Sequence, residues 1–183
     1  MTLEQRKKIH PHKDSLWIAM GSITMMFIGF TSAYIVKRSH ANWLAFELPH
    51  IFWVSTAVIL TSSLTIHLAL KQFKERNMRR YKQLITLTAF LGVAFAVCQW
   101  IGFSQLKSVG LPLNGPVSAS FIYVIVGVHM LHVLGGVVAL LIMFGRAYRT
   151  RVRTYTAVPI EVAATYWHFV DVLWIYLLIF LSI

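Results

Sequence analysis

The side chains most capable of chemistry in this sequence lie inside its most apolar stretches. The run from Pro159 to Ile183 reads PIEVAATYWHFVDVLWIYLLIFLSI. Glu161 stands at its mouth, His168 a third of the way in, and Asp171 near the middle. A second run, FIYVIVGVHMLHVLGGVVALLIMFGR, carries His129 and His132 at i and i+3, on one helical face. Gln99 is a further polar residue within an apolar stretch, read as an interhelical hydrogen bond. A carboxylate at mid-bilayer costs several kcal/mol unless it is paired, protonated or hydrated. Something must receive these groups.

Three chemistries use such residues: metal or haem ligation, proton handling, and hydrogen bonding between helices. Two histidines at i and i+3 on one helix cannot supply the opposite axial ligands of a single haem. A bis-histidine haem would need His67, His129, His132 and His168 paired across helices, and His67 differs in depth from His129. A di-iron bundle site needs several glutamates, including Glu-x-x-His units. The apolar stretches offer only Asp171 at mid-depth and Glu161 near the boundary. Ligation is therefore disfavoured. Polar glue and a supporting role in proton handling both fit the pattern.

The elements that must position these residues are membrane spans. Of 183 residues, 57% are hydrophobic and 13% charged, a composition of an integral membrane protein. Five apolar stretches, at about 15–36, 50–70, 82–103, 117–144 and 159–182, are long enough to cross a hydrocarbon core of about 30 Å. The expected fold is all-α: a single five-helix transmembrane domain over 15–183 behind a basic tail over 1–14. No cleavable signal pattern precedes the first span. The lone cysteine, Cys98, fits a packing role and forms no CxxC site.

The formal net charge is +11, yet its distribution excludes nucleic-acid binding as the reading. Arg6, Lys7, Lys8 and Lys13 lie in the tail. Lys71, Lys74, Arg76, Arg79, Arg80 and Lys82 lie in the second loop, and Arg146, Arg149, Arg151 and Arg153 in the fourth. That places 14 of the 17 basic residues on one side. The positive-inside rule then makes the N-terminus cytoplasmic and the C-terminus external, and the basic loops favour anionic lipid.

Pro49, Pro116 and Pro159 stand at or just before a first turn, where a missing N–H costs little. Gly110 to Gly115 reads as an outer turn. Trp17, Trp43, Trp53 and Trp100 fall near predicted interfaces, as belt residues do. The pairs Gly29/Ala33 and Gly92/Ala96, with Gly127, Gly135 and Gly136, predict close helix contacts. Spans four and five share a short loop and so pack antiparallel. His132 and Asp171 both lie about 17 Å from the basic side at 1.5 Å per residue. Matched depth predicts that the His129/His132 face meets the His168/Asp171 face in a buried hydrogen-bond cluster with Glu161 on the same stripe.

The stretch Glu161-Val-Ala-Ala-Thr-Tyr-Trp-His-Phe-Val-Asp171, followed by Val-Leu-Trp-Ile-Tyr, closely resembles the last helix of haem–copper oxidase subunit III. Gly127-Val-His-Met-Leu-His-Val-Leu-Gly-Gly136 is similar to that family's Gly-x-His-x-x-His-Val-x-x-Gly pattern. The Thr61-Ser-Ser-Leu-Thr65 run and Leu91-Gly92 leading to Gln99 agree with it. The resemblance implies the short, five-helix bacterial form, in the cytoplasmic membrane. It implies a subunit without redox centres, beside the catalytic subunit I that holds haem and copper, and with subunit II. Its implied roles are stabilising the catalytic subunit, supporting proton uptake and binding phospholipid. Arg146 and His67 match the family's lipid-binding positions. Two departures limit the likeness. No acid lies between Asp14 and Glu47, where the long form has a carboxylate, and the family's Gln-x-x-Glu pattern is Gln99-Trp-Ile-Gly102 here. The electron donor is left open among a cytochrome c oxidase, a quinol oxidase and the protein associated with nitric oxide reductase. A small proton channel or transporter is the alternative from another class. Absent inverted repeats and broken helices weigh against it.

Overall fold

The computed structural model describes residues 11–38, 49–108, 117–148 and 157–182. Five helices fill these segments: α1 (Pro11–Arg38), α2 (Ile51–Lys74), α3 (Met78–Ser108), α4 (Val117–Tyr148) and α5 (Val158–Ser182). All five are long and apolar enough to cross a membrane. The helices outrun their apolar stretches. The 31 residues of α3 extend about 46 Å at 1.5 Å per residue, well beyond a hydrocarbon core of about 30 Å. The expected outer turn at 110–115, Pro116, Trp43, the tail residues Arg6, Lys7 and Lys8, and Arg149, Arg151 and Arg153 lie outside the described residues.

The helices close into a ring in the order α2, α3, α4, α5, with α5 returning to α2. Helix α1 stands outside this ring and packs against α4 and α5 alone. The ring is filled by large side chains, with Trp167, Trp174, Phe52, Phe95, Ile59 and Ile66 fully buried. Its outer surface is apolar, as lipid contact requires. Trp17, Trp53 and Trp100 are exposed on it, in keeping with the belt reading.

Two glycines decide how closely α3 and α4 approach α5. A Cβ on Gly92 would stand 3.0 Å from Trp167 Cη2, and one on Gly136 would stand 2.9 Å from Trp167 Cε3. Trp167 is thus gripped between two bare backbones, which is how small residues serve helix packing in lipid. The other expected glycines pack less closely. Gly29 and Gly127 have nothing within 4 Å of a built Cβ, and Gly135 meets only the Tyr166 hydroxyl at 3.9 Å. Spacing marks a small residue; it does not say which side of the helix faces a neighbour.

The turn between α2 and α3 is tight. Asn77 N–H donates to Gln72 C=O at 3.0 Å and Arg76 N–H to Phe73 C=O at 3.1 Å. Arg76 takes the left-handed conformation there, with φ 59°, the place where glycine is usual. This turn holds α2 and α3 as antiparallel neighbours, the most extensive pairing in the molecule.

Candidate functional site: the polar seam of α5

Helix α5 presents its polar residues chiefly to α2. At the basic rim, Glu161 receives two lysines. Lys13 Nζ of α1 stands 2.7 Å from Oε2, and Lys74 Nζ of α2 stands 2.9 Å from Oε1. One carboxylate therefore ties α1 and α2, which do not touch each other, to the start of α5. Two cations against one anion leave this rim positive.

Deeper in, α2 supplies a line of hydroxyls. His168 Nδ1 and Ser63 Oγ are 2.5 Å apart, and the His67 ring lies 6.2 Å from the His168 ring between centroids. Trp167 Nε1–H donates to Ser62 Oγ at 3.2 Å, and Trp174 Nε1–H donates to Thr56 Oγ1 at 2.9 Å. The line continues into α3. Ser62 Oγ–H donates to Thr88 C=O at 3.4 Å, and the Thr65 and Thr88 hydroxyls are 2.8 Å apart. Gln99 Nε2–H donates to Ser55 Oγ at 3.0 Å, fully buried. That is the interhelical hydrogen bond expected of Gln99.

Asp171 is 2% exposed. The Ser63 hydroxyl lies close to its carboxyl, but neither carboxyl oxygen completes a hydrogen bond in full geometry.

The expected cluster between the His129/His132 and His168/Asp171 faces does not form. His129 is fully buried, with neither ring nitrogen hydrogen-bonded. Its ring stacks on Trp174 at 5.3 Å and 24°, and Phe27 of α1 meets it edge-on. His132 Nδ1 bonds the Val128 carbonyl of its own helix at 2.7 Å. The polar link from α5 to α4 is instead Tyr166 O–H donating to His132 C=O at 3.1 Å. Depth was matched as expected; azimuth was not. The bulky Trp167 and Trp174, seven residues apart, occupy the space toward α3 and α4. Their placement turns His168 toward α2.

Arg146 is exposed in the last turn of α4, and His67 is exposed on α2. These helices stand diagonally in the ring. Among the described residues, no three His, Cys, Asp or Glu side chains gather into a metal-ligating group. The residues that sequence reasoning missed are the receivers Ser63, Ser62, Thr56, Lys13 and Lys74. A signal existed. Thr56 and Ser62 are six apart on α2, close to the seven-residue spacing of their partners Trp174 and Trp167 on α5.

The family departure at Gly102 also has a structural counterpart. A Cβ there would lie 2.8 Å from the Phe52 ring, so Phe52 occupies the space a side chain at 102 would need.

Comparison with known proteins agrees with this architecture. The family described as cytochrome c oxidase subunit III matches residues 41–183. A cytochrome c oxidase subunit 3 of Thermostichus vulcanus is 31% identical over 186 residues, covering 95% of this chain and 90% of its own. One from Bacillus sp. (strain PS3) is 28% identical over 181 residues, covering 96% and 85%. One from Pisaster ochraceus is 35% identical over 127 residues, covering 69% and 47%. With five helices long and apolar enough to cross a membrane and matches along nearly its whole length, the chain belongs to the cytochrome c oxidase subunit III family, the accessory subunits of haem–copper oxidases.

Proposed function

We propose that this chain is the non-redox subunit III of an aerobic terminal oxidase in a bacterial cytoplasmic membrane. It docks beside the catalytic subunit I, with subunit II in the same complex, and the haem and copper belong to those partners. The single observation that carries the reading is the use made of the family's signature segment. Between Glu161 and Trp174 most of its polar groups, Asp171 apart, are engaged in holding helices: two lysines on Glu161, Ser62 on Trp167, Ser63 on His168 and Thr56 on Trp174. A segment so engaged is a scaffold. The histidines of α4 are engaged as well, with His129 packed between Trp174 and Phe27 and His132 bonded to its own helix.

The basic rim suits the cytoplasmic side, where anionic headgroups gather. Arg146 and His67 are the residues we assign to phospholipid there. Arg146 offers a fork matched to phosphate, and both side chains are exposed. Support of proton uptake falls to the same rim.

The test is affinity purification in mild detergent, with partner identification and a haem spectrum. Recovery of a haem-bearing catalytic subunit is expected. Recovery of the chain alone, without an oxidase partner, would sink the proposal. A partner subunit II with a copper-binding cysteine cluster distinguishes a cytochrome c oxidase from a quinol oxidase.

A further inference from the structure

A buried acid with no complete hydrogen bond is costly, and its surroundings show how it is reached. Asp171 is 2% exposed and both its oxygens lack partners. The Ser63 hydroxyl beside it is bonded on its other side to His168 Nδ1. A hydroxyl has one proton and two lone pairs, so it accepts from one neighbour while donating to the next. His168 is half-buried, and the exposed His67 ring lies against it. From His67 to Lys74, and from His168 to Glu161, is seven residues, or about 10 Å along each helix. Beyond Asp171 no carboxylate, histidine or basic residue follows on α5. The line of acid and imidazole groups thus opens toward the basic rim and ends at Asp171.

We propose that Asp171 is a proton-storing site, loaded and unloaded from the basic rim through Ser63, His168 and His67. The inference deepens the proton-handling part of the function proposed above. In the Nε2-protonated tautomer of His168, the step balances as follows. The Asp171 O–H bond breaks as Ser63 Oγ accepts that proton. Ser63 passes its own proton to His168 Nδ1. The imidazolium releases the Nε2 proton toward His67 and water at the rim. Loading is the reverse. No oxidant or cofactor is involved. A small shift of Ser63, or one bridging water, completes the missing contact to Asp171.

The charged and titratable groups around this line come from every neighbouring element. Helix α2 brings His67 and Lys74, α1 brings Lys13 through Glu161, and α4 brings His129 against Trp174, one turn past Asp171. A proton arriving at the rim meets two lysines and the one carboxylate they share, and the histidine pair is the first acceptor inside it.

The experiment uses the full chain in lipid nanodiscs. Protons are released from a photolysed caged acid, and the Asp171 carboxyl band is followed by time-resolved infrared spectroscopy. The band is assigned by its loss in Asp171→Asn. A carboxyl band that rises as the released protons arrive is expected. Ser63→Ala and His168→Gln should slow the response about a hundredfold, as loss of a positioned proton carrier does. Ser63→Thr keeps the hydroxyl and should keep the rate. Glutamine at 168 still bonds Ser63, so that variant preserves the seam. A band that does not respond overturns the proposal. So does an unchanged rate in both Ser63→Ala and His168→Gln, which leaves the group a polar lock. Neither outcome touches membership in an oxidase, which the co-purification decides separately.

Discussion

Helix α5 is held on two sides by different means. Toward α2 the contact is polar: Ser62 with Trp167, Ser63 with His168, Thr56 with Trp174, and the lysine clamp on Glu161. Toward α4 it is a matter of shape. Gly136 admits the Trp167 ring, His129 stacks on Trp174, and one hydrogen bond, Tyr166 to the His132 carbonyl, spans the gap. The difference teaches that polar residue types do not announce polar contacts. The helix with two mid-membrane histidines makes the drier interface, and the helix with small hydroxyls makes the wetter one. In lipid both means are available, because packing and hydrogen bonds each replace the missing hydrophobic drive.

Breaking the shape side should have the largest effect. Gly136→Ala puts a Cβ 2.9 Å from a buried indole, and overpacking of that kind costs about 1–3 kcal/mol. A lowered midpoint in a detergent unfolding titration checks it. An unchanged midpoint would mean that the α4 side yields and the contrast is false. Gly92→Ala, at 3.0 Å from the same ring, should cost less.

The sign of the next prediction separates shape from polarity more sharply. His129→Phe keeps the ring stacked on Trp174 and removes two buried nitrogens that have no partners. Replacing unpaired polar groups by an apolar group of like shape is neutral or stabilising, here by up to about 1–2 kcal/mol. The same unfolding titration reads it. A clear loss of stability would reveal a partner for His129, such as a bound water, and would move α4 to the polar side of the comparison.

On the α2 side, a double-mutant cycle between Ser62→Ala and Trp167→Phe measures one bond of the seam. A coupling of about 0.6 kcal/mol is expected for a hydrogen bond between membrane helices. Zero coupling would reduce that seam to packing. The smallest effect belongs to the rim. In Glu161→Gln both ion pairs are lost, yet Lys13 and Lys74 are 41% and 54% exposed. Pairs of this kind contribute about 0–1 kcal/mol and weaken with salt, so the loss in stability should shrink as ionic strength rises.

Much of the architecture was legible in the residues. Five apolar runs gave five helices, because backbone groups in lipid must bond within their own segment. The short loop between α4 and α5 made them neighbours. Gln99 was read as an interhelical bond, and its amide meets Ser55. The receivers of His168 and Asp171 were not legible. Sequence gives depth at 1.5 Å per residue, and on that measure His132 and Asp171 were level. It does not give the rotation of each helix about its axis. That rotation followed from where two indoles fit against Gly92 and Gly136.

The amino-acid sequence by itself determined that the chain spans a membrane, how many times, with which rim basic, and which family its last two spans resemble. Those properties rest on apolar length and charge position, which are local. Only the tertiary structure decided that His168 turns to Ser63, that His129 is dry, and that Lys13 crosses to Glu161. Those depend on which faces meet, and faces are chosen by packing the largest side chains of several helices at once.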